Sequence, residues 1–190
     1  PKDNIERAVK RGTGDSREGG ELEQMYYEGY ANHGVALMIE VVTDNRNRAV
    51  AEIRHVLSRN GGNMADAGSV SWQFNRAAYF SFPIAGQDQD KIFELAVDAG
   101  ADDVVFDGDT VEIVGPVEAF KTISEGLHKA HIHPDEAGLR MVPKNEIELE
   151  PDATIQVMRT IETLEDLDDV QDVFSNLNIS EEALARLEAE

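Results

Sequence analysis

Residues 35–63 read VALMIEVVTDNRNRAVAEIRHVLSRNGGN, and this stretch decides how the chain folds. Val35, Leu37, Ile39 and Val41 alternate with Ala36, Met38, Glu40 and Val42, the period of a strand. Thr43-Asp44-Asn45 then supplies short polar side chains of the kind that accept from the first free amides of a helix. Ala49, Val50, Ile53, Val56 and Leu57 recur at helical spacing, which predicts a helix over about 46–59. Asn60-Gly61-Gly62 ends it, because glycine accepts the left-handed backbone that closes a helix.

Working outward, the aromatic-rich Met25–Tyr30 predicts a strand that precedes Val35–Val42, with Ala31-Asn32-His33-Gly34 short enough for a hairpin turn. Downstream, Ser69–Phe74 alternates and reads as a strand, with Val70, Trp72 and Phe74 pointing into the core. Residues 78–143 then predict strand Tyr79–Ile84, helix Asp88–Ala99 and strands Asp103–Phe106 and Thr110–Val114 around Asp107-Gly108-Asp109. Helix Val117–Ala130 and strand Leu139–Val142 complete them. That order, β-α-β-β-α-β, is the split βαβ pattern of a ferredoxin-like sandwich.

After Pro143 the pattern predicts a strand at Glu146–Leu149 and a helix starting at Pro151, striped by Ile155, Val157, Met158, Ile161 and Leu164. Strand Val170–Phe174 follows, then a helix from near Ser180 carrying Leu184 and Leu187. Residues 144–175 are too few to build a domain and are expected to complete the first β-β-α-β unit. The expected fold is therefore α+β: two ferredoxin-like (split βαβ) α/β sandwich domains, one inserted in the other. Residues 21–77 with 144–190 form the outer domain, and 78–143 the insertion. Residues 1–20 read as a short helix, with Ile5, Ala8 and Val9 on one face, and a linker containing Gly12, Gly14, Gly19 and Gly20. So short a helix needs packing partners. It is expected to be the last helix of an N-terminal helical domain whose earlier part is absent.

The 190 residues are 41% hydrophobic, ample for packed cores, and hold no cysteine, which removes disulfides and thiolate chemistry. No apolar run approaches the length of a membrane span, and residues 1–20 carry no leader pattern. A cytoplasmic location is expected. The net charge is −21, but it is unevenly spread. Residues 44–63 carry four arginines against Asp44 and Glu52, and residues 1–20 carry five basic against four acidic groups. Everything after residue 63 is strongly acidic. A polyanion would be met before residue 64.

Asp44-Asn45-Arg46-Asn47-Arg48 stands where a strand enters a helix, a corner that exposes backbone amides beside guanidinium groups and suits phosphate. Arg48, Glu52, His55 and Arg59 fall on the outer face of that helix, with Arg54 on a flank. The ordinary alternative is a solvated face with an Arg48–Glu52 pair. Lys2, Arg7, Lys10 and Arg11 form a second basic cluster on the opening helix, diluted by Asp3 and Glu6. Gly61-Gly62-Asn63 would allow close backbone approach to a nucleic acid, though simple helix termination is the favoured reading. His131 and His133 share a side of an extended chain, with Asp135 near, but match no metal spacing, and no metal is expected. Asp102-Asp103, Asp107-Gly108-Asp109 and Asp168-Asp169 read as turns rather than acid–base dyads. There is no nucleophile elbow, phosphate loop or dinucleotide-binding glycine run. Neither catalysis nor a cofactor is expected.

Laid out in order, Tyr27-Glu28-Gly29-Tyr30, Thr43-Asp44-Asn45-Arg46-Asn47-Arg48, Ala51-Glu52-Ile53-Arg54-His55, Gly61-Gly62-Asn63 and Gly68-Ser69-Val70 resemble the YebC/PmpR family. Ala99-Gly100-Ala101-Asp102-Asp103-Val104 and Asp168-Asp169-Val170-Gln171-Asp172-Val173 extend the resemblance over essentially the whole chain. One departure stands out: the family has Gly-Pro-Gly-Gly where this chain has Ala31-Asn32-His33-Gly34. The resemblance implies a basic helical domain followed by two α/β domains, the third inserted in the second. It also implies a non-enzymatic regulator of gene expression that binds DNA as a transcriptional regulator. The alternative it carries is a ribosome-associated translation factor that binds ribosomal RNA.

The expected nucleic-acid contacts are Asn45, Arg46, Asn47, Arg48 and Arg54, with Lys2, Arg7, Lys10 and Arg11 on the opening helix. DNA or ribosomal RNA is the expected partner, with no membrane and no obligate small-molecule ligand. A monomer is compatible with the sequence. A ferredoxin-like module that senses a small molecule is the rival from another class, and a metal hydrolase built on His131 and His133 a third.

Overall fold

Strands β1 (Glu23–Tyr30) and β2 (Ala36–Thr43) pair antiparallel from Glu23 opposite Thr43 to Tyr30 opposite Ala36. The computed structural model describes residues 20–189. The helix expected at the start of the chain, with Lys2, Arg7, Lys10 and Arg11, lies outside them. The described residues form two compact units, 20–74 with 143–189 and 75–142. The class is α+β, with a four-stranded sheet in each unit.

In the first unit β2 leads into helix α1 (Arg46–Arg59), which returns to the short strand β3 (Asn63–Ala65) on the far side of β1. Because β1 is antiparallel to both, β2 and β3 run parallel with β1 between them, a split βαβ unit. Helix α4 (Pro151–Glu165) leads into β9 (Val170–Ser175), which pairs with the free edge of β2 and gives the order β3-β1-β2-β9. On one face Leu37, Ile39 and Val41 pack with Ile53 and Leu57 of α1 and Val157 and Leu164 of α4. Ala36 and Met38, on the reverse face, are buried as well, so β2 has little solvent side. That double burial explains its near-continuous apolar run. β8 (Ile147–Glu148) and β10 (Leu177–Asn178) add a small parallel pair. Helix α5 (Glu181–Glu188) closes the unit, burying Ala183, while Leu184 is exposed.

The second unit takes β4 (Phe74–Pro83), α2 (Gln89–Asp98), β5 (Asp103–Asp107), β6 (Thr110–Gly115), α3 (Phe120–Lys129) and β7 (Glu136–Pro143). Their sheet order is β5-β6-β4-β7, the ferredoxin-like arrangement. Phe80, Phe82, Val111 and Ile113 face Ile92 of α2 and Ile123 and Leu127 of α3. Gly108, at a φ of 55°, forms the expected tight turn between β5 and β6. On the opposite face the Arg140 guanidinium lies 4.3 Å from the Tyr79 ring centre, and the Tyr79 hydroxyl donates to Glu112 at 2.9 Å. Burial first, and the Glu112 bond second, push the Tyr79 hydroxyl up to about 12.

Two expectations fail around residues 69–74. The segment is not a strand: Ser71–Gln73 is a single 3-10 turn, and β4 begins only at Phe74. Val70 and Phe74 are buried as expected, but Trp72 is 65% exposed. The 3-10 turn rotates successive side chains by about 120° rather than 180°, so Trp72 leaves the row that Val70 and Phe74 occupy.

The end of α1 is crowded. The Gly62 amide donates to the Leu57 carbonyl at 2.8 Å, and a Cβ at Gly62 would overlap the Tyr30 carbonyl oxygen. Gly62→Ala is expected to lower stability by about 1–3 kcal/mol, as overpacking against backbone does. Chemical denaturation checks this, and an unchanged midpoint would refute the close approach.

Candidate functional site

The corner between β2 and α1 is built by three short polar side chains. Thr43 is fully buried, and its Oγ1 accepts from the Asn45 amide at 2.9 Å. Asn45 is the helix N-cap: its Oδ1 accepts from the Arg48 amide at 3.1 Å. No acid lies in the first turn itself, while the carboxylates of Asp44 and Asp169 face this end of the helix through Arg48. Asn45 is therefore spent on shaping the corner, whereas Asn47 is exposed.

The arginines divide into two kinds. Arg46 Nε donates to Glu23 Oε2 at 2.6 Å, with the two side chains 63% and 50% exposed. That bond raises the Arg46 pKa further, yet so open an ion pair is readily exchanged for another anion. Arg48 is held far more firmly. Its Nε and Nη2 donate to the two carboxylate oxygens of Asp169 at 3.1 and 3.0 Å, and Nη2 also reaches Asp44 at 2.8 Å. The Asp169 side chain is 1% exposed. The hydrogen bond to Asp169 is the chief cause that drives the Arg48 pKa upward. The Asp169 carbonyl accepts from the Val42 amide at 2.9 Å, so both its groups fasten the start of β9 to the corner. Arg48 does not present a free guanidinium to solvent as the sequence reading expected, nor does it pair with Glu52. A fork donor beside a buried carboxylate satisfies the charge that most needs a partner.

Farther along α1 the cations are open. Arg54, His55 and Arg59 are exposed, and among the described residues neither arginine has an ion-pair partner. Arg59 is an open cation that the sequence reading did not name among the candidate contacts. Its signal was its place on the outward face, one turn beyond His55.

Glu28 is a second structural centre. It is 8% exposed, and its carboxylate accepts from the amides of Gly68 at 2.7 Å, Val70 at 2.9 Å and Ser71 at 2.7 Å. Burial acts to raise its pKa, but the three amides together outweigh burial and hold it below the ordinary carboxylate value. This latch ties Tyr27-Glu28-Gly29-Tyr30 to Gly68-Ser69-Val70 across the unit. The turn it holds ends in Trp72, whose Nε1 donates to the Ser69 carbonyl at 2.8 Å.

A polar cleft of about 250 Å³ lies where the β1–β2 turn meets α1 and α4, lined by Asn32, Asn60, Gln156, Arg159 and Thr160. His33 Nε2 lies 2.9 Å from Gln156 Oε1, and the buried Asn32 Oδ1 has no hydrogen-bond partner among the described residues. His131 and His133 join no group of three metal-binding side chains among the described residues. No described helix is long and apolar enough to cross a membrane.

Comparison with known proteins matches residues 22–177 to a family model described as the second and third domain of TACO1/YebC. A protein of Acidithiobacillus ferrooxidans named "Probable transcriptional regulatory protein" is 45% identical over 188 residues, covering 99% of this chain and 74% of its own length. One of the same name from Bifidobacterium animalis subsp. lactis is 46% identical over 190 residues, covering 100% of this chain and 76% of its own length. Among solved structures, a conserved hypothetical protein of Aquifex aeolicus superposes with a TM-score of 0.80 at 37% identity, over 97% of this chain and 76% of that one.

Proposed function

The chain belongs to the TACO1/YebC family, and from that membership and the open cations of α1 we propose a cytoplasmic, non-catalytic regulator that binds DNA. The relatives' name, probable transcriptional regulatory protein, favours DNA over ribosomal RNA. The observation that carries the reading is the outward face of α1. It offers Asn47, Arg54, His55 and Arg59 in a chain of net charge −21. Arg46 joins them by exchanging Glu23 for a phosphate, while Asn45 and Arg48 hold the corner in shape. Lys2, Arg7, Lys10 and Arg11 extend the basic surface in this proposal. Phosphate contacts dominate such an interface, so affinity falls steeply with salt and sequence preference is weak.

The test is the Arg54→Ala, Arg59→Ala double variant of the full chain, titrated with fluorescent duplex DNA at several salt concentrations. Each lost phosphate contact lowers the slope of log affinity against log salt by about 0.9, so a drop of roughly 2 is expected. An unchanged slope and affinity would remove this face from the mechanism. Co-sedimentation with ribosomes at moderate salt discriminates the translation-factor reading. Stronger retention on ribosomes than on duplex DNA would favour it.

A further inference from the structure

We propose that Trp72 is a stacking platform for an unpaired nucleobase, so that single-stranded nucleic acid is the form this protein grips on the turn 68–72. The inference rests on the nucleic-acid reading above and names the class of ligand. Trp72 exposes 65% of its surface, the largest exposure of any large hydrophobic side chain among the described residues. Leaving an indole in water forgoes a substantial burial gain and keeps its flat face open to a partner. The ring is also held in place. Glu28 binds the amides of Gly68, Val70 and Ser71, Val70 is fully buried beneath the turn, and the indole N–H is spent on the Ser69 carbonyl. What remains for a partner is therefore the ring face, without its hydrogen-bonding edge.

The surroundings favour a base over a protein side. Asp66, Ala67, Gly68 and Ser69, its neighbours along the turn, are exposed and charged, small or polar, so the turn itself gives Trp72 no large apolar companion of the kind a protein hot spot requires. A lone aromatic amid polar groups is how proteins stack single-stranded bases, since every base has a π-face. The segment bonded to this turn carries an exposed lysine. The Lys144 amide donates to the Gln73 carbonyl at 2.8 Å, which places this exposed lysine beside the turn. Among the described residues its ammonium has no ion-pair partner. A ring face with a lysine on the adjoining segment suits a stacked base and a nearby phosphate.

The chain holds one tryptophan, so its emission reports this site alone. The full chain is titrated with single-stranded RNA, single-stranded DNA and a duplex of the same sequence, following both indole emission and the anisotropy of a labelled strand. Quenching by a single strand, with the same midpoint as the anisotropy, is expected, and little quenching by duplex. The two single-stranded arms tell RNA from DNA. Trp72→Ala is expected to weaken single-strand binding about fivefold to a hundredfold, and Trp72→Phe to keep most of it. Lys144→Ala is expected to lower the salt slope by about 0.7. Because Trp72 is exposed, both variants fold, and circular dichroism verifies it.

If single strands bind while emission and the Trp72→Ala affinity stay unchanged, the platform is refuted and the nucleic-acid reading survives. If no nucleic acid binds, both fall together. Equal quenching by duplex refutes the unpaired base. Emission that shifts with protein concentration alone, without nucleic acid, assigns the indole to a protein contact and overturns the proposal.

Discussion

Glu28→Ala is expected to lower the stability of the first unit by about 3–5 kcal/mol, because it strips three backbone amides of one charged acceptor. Glu28 lies in β1, and its carboxylate meets the amides of Gly68, Val70 and Ser71 from across the fold. Val70 is fully buried, so water cannot replace the lost acceptor at that amide without opening the turn. Glu28→Gln keeps the shape but turns an N–H₂ toward at least one amide donor, and is expected to recover only part of the loss.

The pH dependence has a definite sign. Glu28 has its folded pKa held below the ordinary 4.5, so its contribution is complete above that value and is lost as pH falls through the lowered folded value. Denaturation of wild type and Glu28→Gln, measured from pH 7 downward, should show their difference shrinking at the acid end. A difference constant across that range would mean that charge on Glu28 is not what holds the turn. Loosening the turn also frees Trp72, so the same variants should lose single-strand quenching before they lose duplex binding.

Arg48→Ala ranks next, with an expected loss of about 2–4 kcal/mol, moderated because the arginine itself is 43% exposed. Removing it takes the bidentate donor from Asp169, a carboxylate with a 1% exposed side chain. Arg48→Lys is expected to restore little, because one ammonium cannot place two donors on both carboxylate oxygens. Thermal unfolding of the first unit measures the loss, and the salt slope of DNA binding, taken well below the transition, measures function. A lowered melting temperature with an unchanged slope identifies Arg48 as a positioning residue. An unchanged melting temperature with a reduced slope would mean that Arg48 touches phosphate directly.

Several elements were legible in the residues because they depend on local rules. The alternation of residues 35–42, the cap at Asn45, the stripe of α1 and the Gly108 turn each follow from steric and hydrogen-bonding demands within a few residues. The ferredoxin-like order of β4 to β7 follows in the same way, since its strands and helices keep distinct periods. β3 escaped notice because three residues carry no period. Trp72 was misplaced because Val70, Trp72 and Phe74 alternate like a strand, while a 3-10 turn brings only the outer two inward.

The candidate site shows the same division. Its chemistry, a scarce set of arginines gathered on one helix of an acidic chain, is a property of composition and spacing and was fixed before folding. Which guanidinium is free was not. Asp169 lies 121 residues from Arg48, and Gly68 lies 40 from Glu28. Pairing at such separations depends on where the sheet brings β9 and the turn after β3, and on how completely each carboxylate is stripped of water. Local spacing carries no record of that desolvation, so only the tertiary structure could tie Arg48 inward, leave Arg54 and Arg59 outward, and set Trp72 in solvent.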